Sequence, residues 1–183
     1  MLAGLTGLLG GGGGAAGSFE SIATGVGTGA AGAITFSSIP STYKHLQVRV
    51  LGRSTTAATS GNCIIRFNGD TGSNYVNHTI RGTGAAITAN GAVGQSSHVI
   101  AQVTGSTAAA NIMGVAIYDI LDYASTTKNK VTRVINGQDQ NGSGDMWLGS
   151  GLWLNTAAIT SIDFTATTAW ATTTTIALYG IKG

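Results

Sequence analysis

The chain of 183 residues is poor in charge, with only 9 % charged residues, against roughly 25 % in an average soluble domain. Glu20 is its only glutamate. This excludes a coiled coil or a helical bundle, because both need Glu, Lys, Leu and Arg in quantity. Intrinsic disorder combines low hydrophobicity with high net charge. It is excluded as well, because 43 % of the residues are hydrophobic and the net charge is +2.

Cysteine, long apolar runs and clustered basic residues are also scarce. Cys63 is the only cysteine, so no disulfide can form within the chain, and its apolar neighbours predict a small core residue. No stretch approaches the ~18 to 20 apolar residues of a membrane span, so we expect no membrane insertion. The one local basic group, Lys128, Lys130 and Arg133, lacks interleaved aromatic residues. It therefore predicts a solvated loop and strand end, and no nucleic-acid partner.

Residues 1–17 form a low-complexity segment rich in glycine and leucine, whereas residues 18–183 have the composition of a β domain. We therefore divide the chain into an extended Gly-rich N-terminal arm, 1–17, and a folded domain, 18–183. The apolar side chains available for anchoring the arm to a neighbour are Leu2, Leu5, Leu8 and Leu9. So few charges give little protection against self-association, which favours a subunit of an oligomer or a larger particle.

From residue 18 onward, short runs rich in Thr, Val, Ile and aromatic residues alternate with clusters of Gly, Asn and Ser. The predicted strands are 19–24, 33–38, 46–50, 63–67, 75–80, 98–103, 112–118, 130–135, 146–154, 161–165 and 175–181. This pattern predicts an all-β, antiparallel β-sandwich, with a two-sheet jelly roll as the best fit. We expect the terminal strands 19–24 and 175–181 to pair. The turn-rich segment 68–74 favours a hairpin of 63–67 with 75–80.

Residues suited to catalysis do not form a recognisable constellation. His45, His78 and His98 lack the spacing of a zinc site on a helix, and no nucleophile elbow or phosphate-binding loop occurs. Most aspartates fall in predicted turns, where capping is their usual role. Asp163 is the exception, and its side chain should point opposite to its apolar neighbours. We expect neither enzymatic activity nor a cofactor.

The segment 139–145 places oxygen-bearing side chains at alternate positions, namely Asp139, Asn141, Ser143 and Asp145. This resembles the first half of a calcium-binding loop. However, Ser150 stands where a bidentate glutamate would be expected, so an Asx-rich turn without metal is the favoured interpretation.

Trp147 and Trp153 are the candidate residues for binding a glycan. Both fall on one face of the predicted strand 146–154, with Gly149 and Gly151 leaving room between them. Such a pair, with the loop 136–145, could stack on a host-surface sugar. The competing interpretation, that both tryptophans fill the core or a subunit interface, is favoured because tryptophan is mostly buried.

Four segments together resemble virion structural proteins of tailed bacteriophages: residues 19–24 (FESIAT), 34–49 (ITFSSIPSTYKHLQVR), 66–75 (RFNGDTGSNY) and 176–183 (IALYGIKG). Members of this group are tail-fibre, minor-tail or other virion proteins. The resemblance implies a structural protein located in the virion and assembled in the host cytoplasm. It implies other virion proteins as partners, and carries no catalytic residues.

The sequence therefore predicts a virion structural subunit, a homo-oligomer (a trimer fits) attached to the particle by residues 1–17. A tail or fibre appendage with host-surface adhesion is the preferred location. A capsid decoration protein, of the cement or head-fibre type, and a carbohydrate-binding module stay open as alternatives.

Overall fold

Twelve strands make up the fold of residues 17–183, the part of the chain that the computed structural model describes. They are β1 (Phe19–Val26), β2 (Ile34–Phe36), β3 (His45–Gly52), β4 (Ser60–Phe67), β5 (Tyr75–Gly82), β6 (Ile87–Gln95), β7 (His98–Thr104), β8 (Gly114–Leu121), β9 (Lys130–Asp139), β10 (Gly144–Trp153), β11 (Ile162–Ala166) and β12 (Thr175–Ile181). No helix long and apolar enough to cross a membrane occurs within 17–183.

The strands form two antiparallel sheets that pack as a sandwich, so the predicted all-β sandwich is confirmed. The large sheet has eight strands in the order β1-β12-β3-β8-β9-β10-β5-β6, and the small sheet has the order β2-β11-β4-β7. The finer assignment to a jelly roll stays a prediction. The arm lies almost wholly outside the described residues, and its leucines Leu2, Leu5, Leu8 and Leu9 lie entirely outside them.

The core lies between the sheets because most strands alternate in burial. In β3, Leu46, Val48 and Val50 point inward and are buried. The largest fully buried side chains include Trp153, Trp170, Tyr75, Tyr118 and Tyr123. Cys63 is buried among them as predicted, and burial raises the pKa of its thiol to about 12, which makes it unreactive.

The two ends of the domain meet as predicted. β1 pairs with β12 from Phe19↔Ile181 to Val26↔Thr175, so the C-terminal strand lies between the first strand and β3. At this edge the Glu20 carboxylate binds the Lys182 ammonium and accepts a hydrogen bond from the Tyr43 hydroxyl. These contacts hold the pKa of Glu20 below its usual range.

The predicted hairpin of 63–67 with 75–80 is wrong. β4 belongs to the small sheet and β5 to the large one, so the segment 68–74 crosses between sheets. Asn68 begins the crossing with a positive φ of 51°, and its side chain accepts hydrogen bonds from the backbone of Thr160 and Ser161. The turn residues are predicted correctly, but turn chemistry alone does not say which sheet the chain enters next.

Candidate functional site

The outward surface of the large sheet, here called the outer face, is unusually apolar. β8, β9 and β10 each carry large apolar side chains on this face as well as on the core face. Ile135 is 54 % exposed and Met146 is 64 % exposed. We call the following exposed set the apolar patch: Ile80, Val115, Ile117, Leu121, Val131, Ile135, Met146 and Leu148.

Strand register brings these side chains into contact range of one another. Ile117 is the direct partner of Ile135, which in turn is the partner of Leu148, and Leu148 is the partner of Ile80. Directly opposed residues of antiparallel strands have Cβ atoms about 4.5 to 5.5 Å apart. The four residues therefore form one apolar row across β8, β9, β10 and β5, and not a scatter of single exposed residues.

One acidic and one basic residue lie next to each other within the apolar patch. Asp119 of β8 is the cross-strand partner of Arg133 of β9. The Asp119 carboxylate accepts a hydrogen bond from Gln47 at 3.0 Å. Arg133 forms no ion pair with any residue of 17–183. Its exposed guanidinium therefore remains able to bind a carboxylate from outside the chain.

A shallow groove of about 720 Å³ continues the apolar patch towards β6. Its apolar wall is formed by Ile80, Ala89 and Leu148, and its polar end by His78, Arg133 and Ser150. β6 itself is exposed on both faces, with Ile87 81 % exposed, and it pairs only with β5. The groove is open and mostly apolar, which suits a protein surface better than a small polar substrate.

Aromatic residues lie at the opposite edge of the outer face, on β1 and β12. Phe19 stacks on Tyr179 with ring centroids 4.8 Å apart. The Arg49 guanidinium lies 5.1 Å and 5.3 Å from the two ring centroids. These cation–π contacts hold the Arg49 guanidinium over the two rings on the outer face.

The structure places Trp147 and Trp153 on the same face of β10, as predicted, but this is the core face. Trp153 is 1 % exposed, stacks on Tyr75 at 6.4 Å and donates a hydrogen bond from Nε1 to Asp70. Its ring is therefore closed to a sugar. Trp147 is partly exposed and lies under the Arg81 guanidinium at 5.5 Å. Its part in glycan binding stays a prediction.

The space that Gly149 and Gly151 leave between the tryptophans is filled by the small sheet. A Cβ on Gly149 would lie 2.7 Å from the Ile100 carbonyl oxygen, and one on Gly151 would overlap the His98 ring. The expected gap is therefore not a sugar site in the folded chain. The two glycines allow β7 to approach β10 closely.

His98 is fully buried, and its protonation state follows from its partners. Asn77 donates from Nδ2 to the Ser97 carbonyl, so the Asn77 Oδ1 faces His98 Nδ1 at 2.7 Å and accepts a hydrogen bond from the Nδ1–H. His98 Nε2 has no hydrogen-bond partner in 17–183. Burial lowers the pKa of His98 to about 4, so the ring is neutral at pH 7. This histidine is a core residue.

The calcium candidates do not converge in the structure. Asp145 points into the sandwich and binds Arg81 at 2.6 Å, whereas Asp139 is exposed on the other face. The Asp139 carboxylate accepts a hydrogen bond from the backbone of Asn141 at 3.0 Å, as in an Asx turn. Among residues 17–183, no three histidine, cysteine or acidic side chains come together as metal ligands.

Lys130 departs from its sequence interpretation, because it is fully buried and not part of a solvated loop. Its ammonium donates hydrogen bonds to the carbonyl oxygens of Lys128 at 2.7 Å and Thr156 at 3.0 Å. Burial lowers its pKa. The nearby Asp122 carboxylate is held by Lys128 and Lys44 instead, which lowers the Asp122 pKa well below its usual range. The three residues of the predicted basic group thus lie in separate environments: Lys130 is buried, Lys128 binds Asp122, and Arg133 is exposed on the outer face.

Sequence reasoning missed the outer face, although a signal for it was present. β8 reads GVAIYDIL and β10 contains MWL, so apolar side chains occupy both faces of strands in an antiparallel sheet. Near-continuous apolar strands are typical of sheets covered on both sides. The same signal, read from the sequence, predicts that something covers this face, as the small sheet covers the opposite one.

Comparison of the chain with protein-family models, with curated proteins and with solved structures finds no match in any of the three. Its function is therefore inferred from the residues of the outer face and from the chain's own sequence pattern.

Proposed function

We propose that this chain is a non-enzymatic structural subunit of a tailed-bacteriophage particle, most suited to a tail or fibre appendage. In this proposal the outer face packs against other protein in the assembly, and the arm of residues 1–17 attaches the subunit to the particle. The observation that carries the proposal is the apolar patch, because contiguous exposed apolar side chains mark a protein–protein contact, whereas singly scattered ones do not.

The polar groups of the domain support a structural role. The carboxylates of Asp70, Asp122 and Asp145 are each engaged by neighbouring donors of the same chain. Asp163 accepts a hydrogen bond from Thr35 on the small sheet. Side chains used in this way stabilise loops and strand pairs, and a particle subunit needs that stability without disulfide bonds.

Particle assembly with altered copies of the chain tests the proposal. Deletion of residues 1–17, or replacement of Leu2, Leu5, Leu8 and Leu9 by serine, should leave a folded domain that no longer enters particles. The matched control carries Thr6→Ser and Ala15→Ser in the arm and should enter normally. Quantitative mass spectrometry of purified particles gives the copy number.

Normal copy number for the deletion variant would refute attachment through the arm. Absence of the unaltered chain from purified particles would refute the particle role itself. Antibody labelling in electron micrographs separates the two locations, since label on the capsid shell would favour a decoration protein.

A further inference from the structure

We propose that the outer face binds the outer face of a second copy of the same chain. A two-fold axis relates the two copies. It lies midway between their facing large sheets, runs parallel to the strands and passes over the line between β8 and β9. This inference deepens the proposed function and rests on it for the premise that the apolar patch is covered. It adds the partner, the axis and the pairs of residues that meet.

The centre of the large sheet lies between β8 and β9. The order β1-β12-β3-β8-β9-β10-β5-β6 leaves four strands on each side of that line. A two-fold axis along it places β8 of one copy over β9 of the other, and β3 over β10. Two sheets stacked face to face lie about 10 Å apart with strands aligned within about 30°, which this arrangement satisfies.

The register within one chain then decides which side chains meet between chains. Because Ile117 is the cross-strand partner of Ile135, the axis places Ile117 of each copy opposite Ile135 of the other. Leu121 meets Val131 in the same way. Ile117, Leu121, Val131 and Ile135 of one copy therefore cover the same four residues of the other, as an isologous interface requires. Leu148 and Ile80 lie over Arg49 and Ala177 of β3 and β12 in the other copy.

Charge complementarity favours a second copy over a foreign partner. Asp119 and Arg133 are cross-strand partners, so the same axis places Asp119 of each copy opposite Arg133 of the other. Two symmetry-related ion pairs form, and the Arg133 guanidinium gains the carboxylate that its own chain does not give it. A surface that carries both members of the pair, one on each side of its centre, is complementary to itself.

The available area also suits a stable dimer. Eight strands about 4.8 Å apart span roughly 34 Å, and the six residue steps from Val115 to Leu121 rise roughly 20 Å. The outer face thus offers a footprint of roughly 700 Å², close to the ~800 Å² that each partner contributes to a standard protein–protein interface.

Charge reversal in the full-length chain tests the pairing. Unaltered protein should sediment with twice the chain mass of 18.3 kDa. Asp119→Arg places arginine opposite arginine, and Arg133→Asp places aspartate opposite aspartate. Each variant should raise the dimer dissociation constant by roughly a hundredfold, because like charges facing each other are strongly unfavourable. Circular dichroism verifies that both variants keep the β-sheet spectrum.

Mixing the two variants provides the sharper result. In a mixed dimer the Asp119→Arg substitution of one chain faces the Arg133→Asp substitution of the other, and the remaining native Arg133 faces the remaining native Asp119. Both ion pairs between chains are restored, so the mixture should dimerise about as tightly as the unaltered chain, whereas each variant alone dimerises roughly a hundredfold more weakly. The matched control is Arg66→Asp, which reverses the charge in the cross-strand pair Asp163↔Arg66 of the small sheet and should leave the dimer unchanged.

Several outcomes would overturn this inference: a monomeric or trimeric unaltered chain, single variants that dimerise as tightly as the unaltered chain, or a mixture that dimerises no more tightly than the single variants. A monomer that still enters particles would refute the two-fold pairing and leave the proposed function standing. A dimer that responds as expected but never enters particles would refute the proposed function and leave the pairing standing.

Discussion

A hydrogen bond between Trp153 and Asp70 joins the last residue of β10 to the segment that crosses between the sheets. The indole Nε1 donates to the Asp70 carboxylate at 2.7 Å, although 83 residues separate the two in sequence. The same carboxylate accepts hydrogen bonds from the Asn74 side chain and the Gly72 backbone. The hydrogen bond from Trp153, and after it the one from Asn74, lowers the pKa of Asp70.

Asp70→Ala should lower the free energy of unfolding by about 2 kcal/mol, because it leaves the buried Trp153 N–H without a partner. Urea denaturation followed by tryptophan fluorescence measures the change. The exposed neighbour gives the control, Thr71→Ala, which should change the stability by less than about 0.5 kcal/mol. Equal losses in the two variants would contradict a specific role for the Asp70 carboxylate.

His98 predicts a loss of stability in mild acid. Its pKa is about 4 in the folded chain and 6.5 when unperturbed, so the unfolded state binds the proton more readily. The full stability is present above pH 6.5. It declines as the pH falls from 6.5 towards 4, by up to about 3 kcal/mol, and is independent of this group below that window.

The pH dependence is measured as the free energy of unfolding between pH 4.5 and 8. His98→Gln should flatten the curve between pH 5 and 6.5, even if it lowers the stability at every pH. The exposed His78 gives the control, His78→Gln, which should keep the slope of the unaltered protein. An unchanged slope in His98→Gln would show that other groups cause the acid sensitivity.

Arg53 holds the connection between β7 and β8. Its guanidinium donates hydrogen bonds of 2.7 to 3.3 Å to the backbone carbonyl oxygens of Ser106, Ala108, Ala109 and Ile112. Arg53→Lys should cost about 1 to 3 kcal/mol, because an ammonium cannot reproduce the planar donor fork. Amide hydrogen exchange should accelerate in residues 105–113. Arg66→Lys, which loses one exposed contact to Ser96, is the control. If these amides exchange as slowly in Arg53→Lys as in the unaltered chain, this role of Arg53 is contradicted.

Gly151 allows the two sheets to meet at His98. Gly151→Ala puts a methyl group into the space of the His98 ring and should destabilise the domain by about 1 to 3 kcal/mol. Gly137→Ala is the matched control on the neighbouring strand, since its nearest atom would lie at 3.8 Å. Thermal unfolding compares the two, and a stable Gly151→Ala variant would show that β7 is free to move away.

The contrast between predicted and observed elements has a physical basis. The strand 175–181 is predicted with its observed bounds, because it contains a threonine, two isoleucines and a tyrosine, all of which favour strands. β6 is missed because its sequence, ITANGAVGQ, has few residues with high strand propensity and exposes nearly all of them. A local sequence pattern indicates which residues of one strand are buried. β6 has almost no buried residues, so its sequence shows no such pattern.

Long-range partners explain the rest of the difference. The burial of Lys130 depends on the carbonyl oxygen of Thr156, 26 residues away, which no local pattern reveals. The alternation around Trp147 and Trp153 correctly predicts a shared face, but not that the small sheet covers it. The apolar patch is visible in the composition of β8 and β10. Its central Asp119–Arg133 pair becomes apparent only from the register.

Hydroxyl-radical footprinting of the full-length chain tests most directly whether the outer face is covered. Met146 and Leu148 are 64 % and 53 % exposed in a single chain, and Leu154, 47 % exposed outside the strands, is the internal reference. We predict that Met146 and Leu148 are oxidised several times more slowly in the unaltered protein than in the Asp119→Arg variant, at equal Leu154 oxidation. Equally rapid oxidation of Met146 and Leu148 in both proteins would contradict a covered outer face.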